Sequence, residues 1–246
     1  MLDIQKYKLH NGECIEIMET IKNNSVDLIL CDPPYGTTGC KWDSIINLEE
    51  MWKQYNRIIK ESGVIVLFSS QPFTSKLIYS NIKNYKYSWY WIKNNKTGFA
   101  FCKYQPLRQV EDINVFYKKT PLYLPQGLRK LKNPIISNRK KGIEIYSGGL
   151  KGKEYIQEYT NYPSNTLYFN KETKCIHPTQ KPTSLLEYLI KTYTREDDVI
   201  LDNCFGSGST GVACANTKRK FIGIELDKNY FQQGKNRIER AYKDNL

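Results

Sequence analysis

The sequence predicts an α/β fold, a mostly parallel sheet with helices on both faces, and three observations carry that prediction. Two apolar runs, Val26–Cys31 and Val64 to Phe68, have the composition of strands buried on both sides. Segments with apolar residues at helical spacing lie between and after them. Strands and helices then alternate through most of the 246 residues, the pattern that parallel crossover connections produce.

In order, Tyr7 to His10 reads as a short strand and 14–22 as an amphipathic helix leading into the strand Val26–Cys31. The spacing of Met51, Trp52, Tyr55, Ile58 and Ile59 predicts a helix over 48–60, stopped near Ser62-Gly63, before the strand 64–68. A helix over 72–80 and strands over 86–93 and 112–118 follow. From 120 to 174 no period survives among Pro, Gly, Lys and Tyr, and the stretch is too long for an ordinary loop, so it reads as an insertion. Alternation resumes with helix 183–194, strand Val199–Asp202, a glycine-rich turn, helix 209–217, strand 221–224 and helix 228–242. Three segments result: 1–119, the insertion 120–174, and 175–246, the first and last forming one domain.

Composition narrows the function. No apolar run approaches the roughly 20 residues that span a bilayer, and the N-terminus lacks the order of a signal peptide, so a cytoplasmic protein without a membrane partner is expected. Seven scattered cysteines without a C-x-x-C pair fit neither a disulfide framework nor a zinc site, and two histidines give little material for a metal centre; no metal is expected. The formal charge is +12. Between Lys118 and Lys153 ten basic residues face one acid, Glu144, so nine of the twelve excess charges lie in this stretch. A polyanion is its natural partner.

Three motifs carry chemistry. Asp32-Pro33-Pro34-Tyr35 follows the strand Val26–Cys31, where two prolines end the strand and leave carbonyl acceptors beside a carboxylate and an aromatic ring. Taken alone it could be a strand-ending turn. Asp202-Asn203-Cys204-Phe205-Gly206-Ser207-Gly208 follows a strand and opens a helix, and Glu225 ends the next strand about twenty residues on, the distance at which an acid meets ribose hydroxyls. The loop lacks the G-K-[ST] ending of a phosphate-binding P-loop. His177-Pro178-Thr179-Gln180-Lys181-Pro182 precedes that unit, with Pro182 suited to a first helical turn.

Together, and in this order, the motifs resemble the beta class of amino-group DNA methyltransferases. The resemblance spans roughly 8–118 and 175–243 and implies a Rossmann-like S-adenosylmethionine-dependent fold with circularly permuted motif order. It implies that Asp32, Pro33, Pro34 and Tyr35 bind the target amine. It places the donor, S-adenosyl-L-methionine (product S-adenosyl-L-homocysteine), against Asp32, Asp202, Phe205, Gly206, Gly208, Glu225 and Asp227. His177, Thr179 and Lys181 would lie beside its methionine part, with Lys181 on the carboxylate. Glu13 and Cys14 resemble the family's G-D-C turn near the adenine ring, with Glu13 where Asp is usual. The aromatic of the glycine loop stands one position later than in many relatives. Trp89, Trp91 and Lys93 resemble the family's W-x-K strand, and core packing is the simpler use for the two tryptophans.

The resemblance also implies duplex DNA as partner, with base flipping and direct methyl transfer. Arg129, Lys130, Lys132, Arg139, Lys140 and Lys141 of the insertion are the candidates for DNA contact, and a symmetric homodimer is implied by the habits of the family. An acid in the first position of the tetrapeptide points to adenine; cytosine is the alternative base. An RNA or protein methyltransferase shares the cofactor loop and tetrapeptide, a non-catalytic nucleic-acid-binding partner shares the fold, and a dinucleotide oxidoreductase leaves the paired prolines without a use.

Overall fold

The computed structural model describes residues 6–36, 44–138, 154–172 and 180–245. They fall into two compact units, Met1–Leu124 with Asn165–Leu246, and Pro125–Ser164. The insertion expected at 120–174 contains the smaller unit and extends into the larger one at both ends.

The larger unit carries strands β1 (Tyr7–Asn11), β2 (Val26–Cys31), β3 (Ile59–Ser69), β4 (Tyr85–Thr97), β5 (Arg108–Phe116), β8 (Thr166–Tyr168), β9 (Val199–Asp202) and β10 (Lys220–Glu225). Its helices are α1 (Cys14–Thr20), α2 (Leu48–Ile58), α3 (Phe73–Ser80), α4 (Thr183–Tyr193), α5 (Ser209–Asn216) and α6 (Lys228–Asp244). The strands form one eight-stranded sheet in the order β1-β10-β9-β2-β3-β5-β4-β8. Its first five strands are parallel, and β5 runs against both β3 and β4.

Both faces are buried, as the unbroken apolar runs require. Along β2 and β3, Leu28, Leu30, Val64, Val66 and Phe68 join the core under α4, α5 and α6. Ile29, Cys31, Ile65 and Leu67 alternate to the other face, under α1, α2 and α3. Several boundaries differ from the sequence reading: α1 stops at Thr20, β4 runs on to Thr97 and β5 spans Arg108–Phe116, and two further differences have a local cause. Helix α2 ends at Ile58, and 59–63 already belongs to β3, because Ile59 pairs with Val26 across a register shift. Thr166–Tyr168, inside the apparently formless stretch, forms β8, which pairs with Tyr90, Trp91 and Ile92 at the sheet edge. Three residues give no readable alternation.

The smaller unit is an antiparallel pair, β6 (Arg129–Asn138) with β7 (Glu154–Thr160). Arg129, Lys130 and Lys132 are exposed on it. Arg139, Lys140 and Lys141 lie outside the described residues, as do His177 and Thr179.

Candidate active site

Strands β2 and β9 are neighbours, and from them the chain proceeds in opposite directions across the sheet, β2 to β3 and β9 to β10. Such a switch point opens a crevice at the carboxyl ends of the strands. Here it is a cleft of about 1200 Å³, lined at one side by Asp32, Pro33, Pro34 and Tyr35 and at the other by Asp202, the loop 203–207, Glu225 and Asp227. The tetrapeptide and the glycine loop, 170 residues apart in sequence, thus share one cavity.

At the first side, Tyr35 donates its hydroxyl to Asp32 Oδ1 at 2.5 Å, and its ring lies on Phe73 with centroids 5.4 Å apart. The Lys181 ammonium donates to Asp32 Oδ2 and stands 3.4 Å from Glu111 Oε2. Lys93 donates to Glu111 Oε1 at 3.0 Å. Two lysines and two acids therefore alternate in a chain, Lys93, Glu111, Lys181, Asp32, and both lysines are buried, 5% and 7% exposed. Lys181 also lies over the Phe68 ring, 5.1 Å from its centroid. Burial pushes the Glu111 carboxyl up, but Lys181 and Lys93 outweigh it and hold it below the ordinary range. Burial likewise pulls the Lys181 ammonium down, and Asp32 with Glu111 reverses the shift. Burial, then the Asp32 charge, drives the Tyr35 phenol well up, so it stays a donor at neutral pH.

Local structure explains how Lys181 is held. Helix α4 begins at Thr183, directly after Pro182, which sits at the N-cap and offers no side-chain acceptor. Glu172 does that job from a distance, accepting from the Thr183 backbone N–H at 2.9 Å and its hydroxyl at 2.8 Å, while Gln180 donates to its other oxygen. Gln180 and Thr183 are thereby fixed on either side of Lys181.

At the second side, backbone groups satisfy the acids. Glu225 accepts from Gly206 N and Asp227 N, both at 2.8 Å, and burial raises its carboxyl pKa, which those backbone bonds offset in part. Asp227 caps α6, accepting from Asn229 N at 2.8 Å and Tyr230 N at 3.0 Å. Asp202 is 3% exposed, accepts from Cys204 N at 3.1 Å, and is pushed up to about 6, chiefly by burial. Glu13 caps α1 through Glu16 N at 2.9 Å and receives the Cys14 thiol at 3.5 Å.

The two loop glycines have different uses. Gly206 has φ +50°, and a Cβ there would meet nothing within 4 Å. Gly208 has φ +79°, and a Cβ would lie 2.9 Å from the Gly234 carbonyl oxygen, so its close approach is to α6. Phe205 is 4% exposed, with its ring beside Phe231 at 5.8 Å between centroids; it is wedged under Gly223 and Gly234 as well as bordering the cleft.

Glu111 carries no motif and was not among the candidates drawn from the sequence. The signal that could have found it is Lys93 itself, a lysine in an otherwise buried strand that needs an anion; Glu111 stands on the adjacent strand β5. Lys93 belongs to this charge network, while Trp89 and Trp91 are buried in the core.

Comparison with known proteins agrees with this construction. Residues 26–236 match the family model described as DNA methylase, that of the N6 and N4 methyltransferases. The type II methyltransferase M.HpaI of Haemophilus parainfluenzae is 28% identical over 94% of this chain and 74% of its own length. The DNA adenine methyltransferase YhdJ of Escherichia coli is 26% identical over 94% and 82%. The crystal structure of the M1.HpyAVI–SAM complex superposes with a TM-score of 0.64 at 28% identity, covering 94% of this chain and 99% of that one. The cytosine-N4-specific PvuII DNA methyltransferase shares the fold, with a TM-score of 0.67 at 16% identity over 97% and 92%. Sheet, switch point and cleft define a Rossmann-like methyltransferase. The chain belongs to the N6/N4 DNA methylase family.

Proposed function

We propose that this protein transfers a methyl group from S-adenosyl-L-methionine to the N6 amine of adenine in duplex DNA. The observation that carries the reading is the single cleft that holds Asp32 against Tyr35 and Lys181 on one side and the Gly206–Glu225 loop contact on the other. The first-position acid, Asp32, favours adenine over cytosine on the strength of the resemblance. A relative named as an adenine methyltransferase supports the same choice.

The residues present fit the donor. Gly206 faces open space, Glu225 and Asp227 offer carboxylate oxygens of the kind that bind a ribose diol, and no lysine or arginine pairs with them among the described residues. Carboxylates without a directly paired cation suit a ligand that brings positive charge. When bound, S-adenosylmethionine supplies an electrophilic methyl group on sulfonium sulfur.

What the protein contributes is orientation and charge. A carboxylate has about four lone-pair positions, so Asp32 keeps acceptor capacity beyond Tyr35 and Lys181. Asp32 accepts one N–H of the target amine and the Pro33 carbonyl the other, turning the nitrogen lone pair out of conjugation and toward the methyl group. The same carboxylate stabilises the positive charge that grows on nitrogen. Tyr35, backed by the Phe73 ring, offers aromatic surface near the base, which must leave the helix to reach the cleft. The insertion 120–174, with Arg129, Lys130 and Lys132 exposed, contacts DNA phosphates and bases.

The test is transfer of labelled methyl from S-adenosylmethionine to mixed-sequence duplex DNA, followed by nucleoside analysis, for the wild type and Asp32→Ala. Label in N6-methyladenine that disappears in the variant is the expected result. Label in N4-methylcytosine replaces the base. No label in DNA, with the donor still bound, overturns the reading in favour of RNA, protein or a non-catalytic role.

A further inference from the structure

The hairpin that carries the charge network ends in a feature the chemistry does not use. Strand β4 runs four residues beyond Lys93, along the cleft, to Thr97; β5 returns from Arg108 to Glu111. Between them, residues 98–105 fold into a turn held by its own backbone. Phe101 N donates to Gly98 O at 3.0 Å, Cys102 N to Phe99 O at 3.1 Å, Tyr104 N to Phe101 O at 2.9 Å and Gln105 N to Phe101 O at 3.0 Å. Gly98, at φ +89°, starts the turn, and Thr97 Oγ1 donates to Arg108 O at 3.2 Å across its base.

This fixed turn turns its aromatic side chains outward: Phe99 is 79% exposed, Phe101 55% and Tyr104 86%. Exposed apolar residues scattered singly need no explanation, but three rings on one eight-residue turn make a patch. The charge around it is one-sided. From Asn94 to Val110 the sequence holds Lys96, Lys103 and Arg108 and no acid, and all three cations are exposed. Thr97 and Arg108, at the base of the turn, line the same cleft as Asp32. At about 3.3 Å per strand residue, Thr97 lies roughly 13 Å along β4 from Lys93, a distance on the scale of a duplex radius.

We infer that the turn 98–105 is a DNA-contacting wedge that stacks Phe99, Phe101 and Tyr104 on bases beside the extruded nucleotide, while Lys96, Lys103 and Arg108 pair with flanking phosphates. The inference rests on the methyltransferase reading above and names the element that opens the duplex for it. Aromatic rings suit every base, because each base offers a π face, and a turn that is already ordered loses little entropy when it inserts. A protein partner would also bury aromatic residues; the surplus of cation without acid favours the polyanion.

The experiment compares the wild type with the triple variant Phe99→Ala, Phe101→Ala, Tyr104→Ala. Methylation by the wild type is first mapped on plasmid DNA to define the site. Two duplexes carrying that site are then used, one fully paired and one with the target base opposite an abasic position, where opening costs little. The variant is expected to lose about tenfold to a hundredfold in kcat/KM on the paired duplex and less than about threefold on the abasic one. Equal losses on both duplexes, or none on either, overturn the wedge. Sedimentation of both proteins covers the remaining occupant: conversion of a dimer to a monomer with equal losses assigns the patch to a second copy of the chain. A wild type that methylates no DNA removes the underlying reading before any variant is compared.

Discussion

The two sides of the cleft hold their carboxylates in opposite ways. Around Asp32, half-buried acids are paired with buried lysines, so the chain Lys93, Glu111, Lys181, Asp32 carries no net formal charge. Around Glu225, acids are held by backbone N–H groups, with no lysine or arginine paired to them among the described residues. The first arrangement suits a neutral amine that becomes cationic only during reaction, since the region gains its stabilising role as charge develops. The second suits a ligand that arrives cationic. The difference lies in the partners and not in the acids, so it can be broken from either side.

The largest effect is expected at the lysine-paired side. Glu111→Gln leaves Lys93 and Lys181 buried with one acid between them, and removal of one partner from a buried ion pair costs about 3–5 kcal/mol. Denaturant unfolding should show this loss at pH 7. Combining Glu111→Gln with Lys93→Met, which restores neutrality with a chain of similar length, should recover most of it. Equal stability of the single and double variants would mean that Lys93 and Glu111 do not act as a pair.

On the backbone-held side a carboxylate is itself a burden. Asp202 is pushed up to about 6 by burial, above the value near 3.9 of an unfolded aspartate. The folded state therefore binds the proton more tightly, so this group favours folding most below pH 4 and loses that contribution as pH rises through 6. Asp202→Asn should accordingly stabilise the protein at pH 8, on the order of 2–3 kcal/mol if the Cys204 N–H contact survives, and the gain should vanish at pH 4. Melting temperatures of both proteins across that range measure it. A gain independent of pH would place its origin outside this titration.

Glu225→Gln sharpens the comparison in binding rather than stability. The amide presents N–H groups to Gly206 N or Asp227 N, where the carboxylate had accepted from both. Loss of the charge-assisted hydrogen bond that the Glu225 carboxylate would accept from the donor's ribose is worth about 1.5–3 kcal/mol, which should appear in calorimetry as a weaker S-adenosylmethionine complex. At saturating donor, kcat should stay near that of the wild type, because Asp32 and its partners are untouched. A fall in kcat at saturation with unchanged affinity would reverse the roles of the two sides.

Much of this was legible in the sequence because the legible parts are local. Val26–Cys31 and Val199–Asp202 are strands in the structure with the same ends, and the motifs that follow them meet at the switch point because strand order puts them there. What was hidden depends on pairing across strands. Glu111 gains its meaning from Lys93 on the neighbouring strand, and β8 is three residues long, too short to show a period. The turn 98–105 was passed over because exposed aromatic residues look like core residues until their exposure is known. The glycine loop also read too simply, as one purpose for two glycines.

Those two glycines give the smallest and most local expectation. Both have positive φ, so an alanine at either adopts a backbone that costs about 1 kcal/mol or slightly more. At Gly206 nothing else is added, because a Cβ meets open space on the cleft side; Gly206→Ala should cost only that strain in stability and should weaken donor binding. At Gly208 the Cβ would press within 2.9 Å of the Gly234 carbonyl oxygen and 3.0 Å of Ile238 Cδ1, so α5 and α6 must separate. Gly208→Ala should therefore lose distinctly more stability than Gly206→Ala. Measured side by side, the pair divides the loop into a position that serves the ligand and a position that serves the fold; the opposite ranking in unfolding would assign the ligand side to Gly208.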